Sequence, residues 1–152
     1  MKIWIEKNII ENIFSNGVLW LPKETGGILM GYFLLDQYVI TDFIGPGEKA
    51  IHKINSFKPD QEFHEREITR IYKESEQKIT YLGDWHTHPN SFPYLSETDK
   101  RTFKKIADYS KARLSNPIML VVAPPTENFK VWIYKKNTKR EILYEEGNII
   151  IF

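Results

Sequence analysis

Hydrophobic and polar residues alternate at the start of the chain, in KIWIE, and apolar residues then recur at helical spacing as Ile9, Ile10, Ile13 and Phe14. Alternation by two marks a half-buried strand and recurrence at i, i+3 and i+4 an amphipathic helix, so the chain opens strand then helix, with Gly17 expected to end the helix. GGILMGYFLLD and QYVITDFIG read as two strands joined around Asp36 and Gln37. Gly26, Gly27 and Gly31 weaken a strand interior, which predicts a bulge or a close approach of backbones there. The segment GPGEKAIHKINSFKPD reads mostly as loop. From Pro59 to Lys78, opposite charges pair at i,i+4 (Glu62 with Arg66, Glu74 with Lys78) beside a thin stripe of Phe63, Ile68, Ile71 and Tyr72, which predicts a helix.

ITYLGDWHTH reads as a strand ended by Pro89. From Ser96 a second amphipathic helix carries Phe103, Ile106, Ala107, Ser110 and Leu114 on one face. PIMLVVAP is a continuous apolar run, the mark of a strand covered on both faces. FKVWIYKK and REILYEE pair as a hairpin across Asn137 and Thr138, and NIIIF is a last strand or a tail docked on the core. The order predicts a mixed α/β (α+β) fold with six to eight strands and three helices. No repeat or linker interrupts it, so residues 1–152 read as one domain.

Composition narrows the chemistry. The 152 residues include 41% hydrophobic and 27% charged side chains, mixed along the chain, as in a globular protein. A net charge of +1 gives no overall field that favours nucleic acid or an anionic membrane. The basic run Lys100, Arg101, Lys104 and Lys105 reads as a solvated helix face. There is no cysteine, which excludes thiol proteases, Cys-ligated zinc ribbons and the His/Cys/Cys zinc of nucleobase deaminases. No secretory leader or apolar run of membrane-spanning length is present, so a cytoplasmic protein with no membrane partner is expected.

Half of the four histidines lie in one tripeptide, His86-Thr87-His88. Residues two apart on a strand point the same way, so both imidazoles project together while Trp85 and Thr87 face the opposite side. Ser96-Glu97-Thr98-Asp99 has the form of a capping box, with Ser96 at the N-cap and Asp99 at N3. That cap would also set the Asp99 carboxylate where it could reach a metal held by the strand end. Two histidines and one carboxylate are the three-ligand set of a catalytic zinc, which leaves a fourth position for water. Such a water needs a base, and Glu24, in PKETGGILMG, is the best unassigned candidate; by itself it is an ordinary loop acid.

Glu24 with Gly26, Gly27 and Gly31 behind it, then Gly83-Asp84-Trp85-His86-Thr87-His88-Pro89, then Ser96-x-x-Asp99 with seven residues between His88 and Ser96, resembles the complete JAMM signature of the MPN-domain zinc metallopeptidases. The resemblance runs from Glu24 to Asp99 and is far more specific than its parts. It implies that His86, His88 and Asp99 bind Zn2+, that Glu24 holds and deprotonates the water, and that Ser96 donates to the oxyanion. It also implies a curved mixed sheet flanked by helices, the MPN fold related to the cytidine deaminases. Members of this family most often cleave the isopeptide or peptide bond after the C-terminal tail of ubiquitin or a ubiquitin-like protein, the tail lying extended beside a strand. In length the chain resembles the small prokaryotic deconjugating peptidases of ubiquitin-like operons, including those of CBASS antiphage defence, where the conjugated protein is a nucleotidyltransferase.

Two alternatives stay open at this point: a small-substrate peptidase that releases an amino acid from a sulfur-carrier protein, and a non-catalytic MPN scaffold. Asp84 shares the strand face of His86 and reads either as a partner that orients an imidazole or as a solvent-facing acid. Trp85 and Thr87 read as core and strand filler, and Trp4, Trp20 and Trp132 as core aromatics. His52 and His64 read as surface residues. Phe92 and Tyr94 are expected to pack over the following helix, or else to line a groove for a peptide tail.

Overall fold

The alternation in Lys2–Ile5 (β1) puts Ile3 and Ile5 fully inside, and Lys7–Trp20 (α1) follows with Ile9, Ile10 and Ile13 turned to the same interior. The computed structural model describes residues 1–109 and 114–152. Beyond α1 come Gly26–Leu34 (β2), Gln37–Ile44 (β3), Ile51–Lys53 (β4), Ser56–Lys58 (β5), Gln61–Glu74 (α2), Thr80–Thr87 (β6), Glu97–Asp108 (α3), Ile118–Val122 (β7), Phe129–Lys136 (β8), Ile142–Glu146 (β9) and Asn148–Ile151 (β10). The expected mixed α/β order is present.

Eight strands form one mixed sheet in the order β10-β1-β3-β2-β6-β7-β8-β9, and β4 pairs with β5 apart from it. The pairs β1/β10, β1/β3 and β6/β7 are parallel, and the remaining pairs of the large sheet are antiparallel. The edge strands β9 and β10 are consecutive in the chain with only Gly147 between them, so the sheet has to curl until its two edges approach. The Gly147 N–H donates to the Val131 carbonyl of β8 at 2.7 Å and ties the two ends.

One face of the sheet packs on α1, with Ile3, Leu29, Trp85 and Leu120 in one cluster with Ile13 of the helix. On the opposite face Ile28, Met30 and Ile44 meet Ile71 of α2, and Met119, Val121 and Tyr134 meet Phe103 of α3. Strand β7 is buried along its whole length and feeds both faces, as its unbroken apolar run predicts.

Several boundaries differ from the sequence reading. Gly17 does not end α1, which continues to Trp20. A Cβ at Gly17 would lie 3.1 Å from both Thr87 Cγ2 and Pro124 Cγ, so the glycine serves close packing of helix on strand. The segment read as loop contains the β4–β5 hairpin, whose three-residue strands are too short for a periodic signal. Helix α2 is shorter than Pro59–Lys78, because Asp60 caps it through the Phe63 N–H and the backbone turns at Ser75. Helix α3 ends at Asp108, so Leu114 is not on its face; Ser110 lies outside the described residues. The expected irregularities of β2 are present as a register shift at Met30/Gly31 against β3 and another at Leu29/Met30 against β6.

Candidate active site

The second of those shifts shapes the strand that carries the histidines. Gly83 pairs with Leu29 and Tyr81 with Met30, which leaves Leu82 as the extra residue of a bulge. Gly83 has φ +151, and a Cβ there would fall 1.8 Å from the Ile118 carbonyl oxygen. Beyond the bulge Asp84 and His86 line the cleft between α2 and α3, and Trp85 and Thr87 turn to the α1 side. This cleft encloses about 1600 Å³, and Glu24, His86, His88, Ser96 and Asp99 all line it.

His86 Nε2 and His88 Nε2 stand 3.1 Å apart. Each also meets the Asp99 carboxylate, His86 Nε2 at 3.0 Å from Oδ1 and His88 Nε2 at 3.1 Å from Oδ2. A tetrahedral ion with bonds of about 2.0–2.1 Å holds its ligand atoms about 3.3 Å apart, so these spacings fit three corners of such a site. His88 Nδ1–H donates to the Phe92 carbonyl at 3.0 Å, which leaves the Nε2 lone pair free for an ion. Two bare imidazole nitrogens facing one carboxylate at these distances form a donor set made for a cation, and His86, His88 and Asp99 could hold one.

The cap places the carboxylate. Ser96 Oγ accepts from the Asp99 N–H at 3.1 Å, and the Ser96 N–H donates to Asp99 Oδ2 at 3.0 Å, so the capping box read from the sequence is formed in both directions. Because Oγ accepts this bond, its own hydrogen remains free to donate elsewhere. Burial disfavours ionisation of Asp99, but the facing His86 and His88 imidazoles outweigh it and hold the carboxyl well below the usual range. Burial pushes the Glu24 carboxyl up, while the two imidazoles pull it down, which places Glu24 within electrostatic reach of the histidines.

Thr87 is more than strand filler. Its Oγ1 accepts from the Thr25 N–H at 3.0 Å and its own N–H donates to the Thr25 carbonyl at 2.9 Å, so the residue after Glu24 is tied to the residue between the histidines. The sequence carries no sign of this pairing, since it depends on the register of β2 against β6. Asp84 does not orient an imidazole: its Oδ1 accepts from the Tyr81 hydroxyl at 2.7 Å, and burial raises its pKa. Phe92 and Tyr94, expected to cover the following helix or to line a groove, are 72% and 54% exposed, and the Tyr94 ring lies 4.9 Å from that of His88. His64 is buried, its Nε2–H donating to the Gly45 carbonyl, and His52 is half-buried against Trp20, so neither is a surface residue. Trp4, Trp20 and Trp132 are half-buried at the margins of the core, whereas Trp85 lies within it. The basic run of α3 is solvated and pairs locally, Lys100 with Glu97 and Lys104 with Asp108.

Residues 6–134 match the family described as prokaryotic homologs of the JAB domain. The chain belongs to that family. As a JAB-family member it is a JAMM-type hydrolase. Over 147 residues it is 38% identical to a protein of Sinorhizobium fredii named Probable metalloprotease y4qB, a match covering 94% of this chain and 89% of that one. It is 31% identical over 84 residues to a CD-NTase/cGAS isopeptidase of Escherichia coli, which covers 55% of this chain and 54% of that one. Its fold is similar to the solution structure of a protein from Desulfitobacterium hafniense, with a TM-score of 0.68 at 17% identity over 99% of this chain and 92% of that one. Within this JAB-family chain, no helix of the described residues is long and apolar enough to cross a membrane.

Proposed function

We propose that residues 1–152 act as a single metallopeptidase domain, a zinc-dependent isopeptidase that hydrolyses the bond after the C-terminal tail of a ubiquitin-like or similarly conjugated protein. The observation that carries this reading is the convergence of His86 Nε2, His88 Nε2 and the Asp99 carboxylate on one point of the cleft that Glu24 also lines. Zinc bound there supplies Lewis acidity, which makes water nucleophilic near neutral pH and polarises a carbonyl.

The chain's own groups complete the reaction. Glu24 takes a proton from the attacking water and returns it to the leaving amine as the C–N bond breaks, so the amine leaves neutral and water's oxygen ends in the new carboxylic acid, whose own proton then passes to solvent. Ser96, whose hydroxyl hydrogen is not used by the cap, donates it to the oxygen that becomes negative as the carbonyl is attacked. Asp99, whose carboxyl the facing imidazoles hold below the usual range, takes no part in these proton transfers. The name of the Escherichia coli relative favours a conjugated nucleotidyltransferase as substrate, and hence an isopeptide over a carrier-bound amino acid.

The test is incubation of the zinc-loaded protein with two conjugates, a CD-NTase and a ubiquitin-like protein, each joined through its C-terminus to a lysine side chain. Release of the free protein, abolished by Glu24→Gln with zinc still bound, is the expected result. Undiminished release by Glu24→Gln would remove the base from this mechanism, and intact conjugates in both reactions would remove the isopeptidase reading.

A further inference from the structure

Both backbone groups of Glu24 are held by consecutive residues of β4. Its N–H donates to the Lys53 carbonyl at 2.8 Å, and its carbonyl accepts from His52 Nδ1–H at 2.9 Å. Glu24 lies between α1 and β2, outside the ladder of the large sheet, so these two bonds set the position of its Cα. The His52 ring is itself fixed: it lies flat on Trp20, with centroids 3.4 Å apart and planes 7° from parallel, and Phe57 of β5 meets it at 5.3 Å. Its Nε2 is buried with no hydrogen-bond partner among the described residues. A second proton would be stranded there, so the neutral ring protonated at Nδ1 is the form this place accepts, and burial lowers the His52 pKa accordingly.

We propose that His52, braced by Trp20 and Phe57, is a positioning residue that holds the Glu24 backbone where the Glu24 carboxylate can serve His86, His88 and Asp99. The inference rests on the reading of Glu24 as the general base. A base has to stand within hydrogen-bond reach of the proton it takes, and a misplacement of about 1 Å can lower a rate about a hundredfold. On its C-terminal side Glu24 is steadied by the Thr25–Thr87 pairing. His52 and Lys53 supply the matching restraint, and with both in place the carboxylate has a fixed origin. His52 touches none of the reacting atoms; it acts through the Glu24 carbonyl.

The experiment compares His52→Ala with His52→Asn in the zinc-loaded protein, since asparagine can present an N–H close to where Nδ1 stands. The readouts are kcat and KM on the lysine-linked conjugate that the unaltered protein cleaves, zinc content, and hydrogen exchange of the Glu24 amide without substrate. His52→Ala is expected to lower kcat about ten- to a hundredfold with KM and zinc content unchanged, and to speed Glu24 exchange at least about tenfold. His52→Asn is expected to recover most of both. Unchanged exchange and kcat in His52→Ala, or an equal loss in both variants, would overturn the proposal. Trp20→Leu, which keeps the imidazole and removes its platform, gives a second measure: faster Glu24 exchange supports the proposal and unaltered exchange counts against it. The base reading fails by a separate sign, persistent turnover by Glu24→Gln, whereas exchange at Glu24 reports how firmly its backbone is held, whatever its carboxylate does.

Discussion

Thr25 and Thr87 are bound to each other three times, Thr25 amide to Thr87 hydroxyl and both Thr87 amide and Thr87 hydroxyl to the Thr25 carbonyl, in a place where both side chains are fully buried. The pairing sets the distance between the loop that carries Glu24 and the strand that carries His86 and His88. Thr87→Val keeps the shape and removes the acceptor, leaving the Thr25 N–H without a partner in the interior. Urea unfolding is expected to show a loss of about 1–3 kcal/mol. Under the proposed mechanism turnover should fall further than zinc content, because His86, His88 and Asp99 remain in place while Glu24 moves; Thr87→Ser should restore both.

The cap that Ser96 forms and the oxyanion contact proposed for its hydroxyl can be separated by substitution. Ser96→Ala removes the cap and the hydroxyl together, so it should cost about 1 kcal/mol of stability and about a hundredfold or more in kcat. Ser96→Asp keeps a good N-cap acceptor but has no hydrogen to donate when ionised. Thermal unfolding close to that of the unaltered protein, combined with the same loss of kcat, is the expected outcome. Equal activity in Ser96→Asp would assign the oxyanion to another donor.

Removing the metal is expected to abolish hydrolysis and spare the fold. The three hydrophobic clusters contain none of the proposed ligands His86, His88 and Asp99, so far-UV circular dichroism should be unchanged by a chelator. The melting temperature should fall, since an ion present at about a hundredfold over its dissociation constant stabilises by about 2.7 kcal/mol. Restoring one equivalent of zinc should restore both activity and melting temperature. Unfolding on chelation would instead make the metal a structural element.

Tyr38 provides an alkaline probe of the fold. It is 2% exposed, its hydroxyl donates to the Asn116 carbonyl at 2.6 Å, and burial pushes its pKa up to about 12. A raised folded pKa favours the protonated form in the native state. Its contribution is therefore complete below the unfolded value of about 10 and is lost as pH rises through about 12, at most about 2.7 kcal/mol. Stability measured by urea at about pH 9 and about pH 11.5 should fall less in Tyr38→Phe than in the unaltered protein. Equal falls would mean that Tyr38 ionises without disturbing the fold.

The parts of this protein that could be read in the sequence are those whose partners are local. Ser96 and Asp99 cap one helix turn, His86 and His88 share one strand face, and the run Ile118–Val122 announces a strand buried on both sides; each follows from a period or a short spacing. Thr87, His52 and Gly17 could not be read, because their meaning lies in residues far along the chain: Thr25 across a strand register, Trp20 and Glu24 across a hairpin, and Pro124 behind the sheet. The β4–β5 hairpin was hidden for a related reason. Three-residue strands are shorter than one cycle of evidence for alternation, and its role is visible only once it is seen to hold Glu24.

Gly17 has a mechanical consequence for the chemistry in front of it. The strand bearing the two imidazoles rests, at Thr87, against the bare backbone of α1 and not against a side chain. Side chains yield by changing rotamer, whereas a hydrogen-bonded helix backbone has no such freedom, so the strand has a stiff stop behind it. The depth at which His86 and His88 sit in the cleft is thus gauged by the axis of a helix on the opposite side of the sheet. The chain accepts a glycine in mid-helix, at about 1 kcal/mol of helix propensity, to keep that gauge.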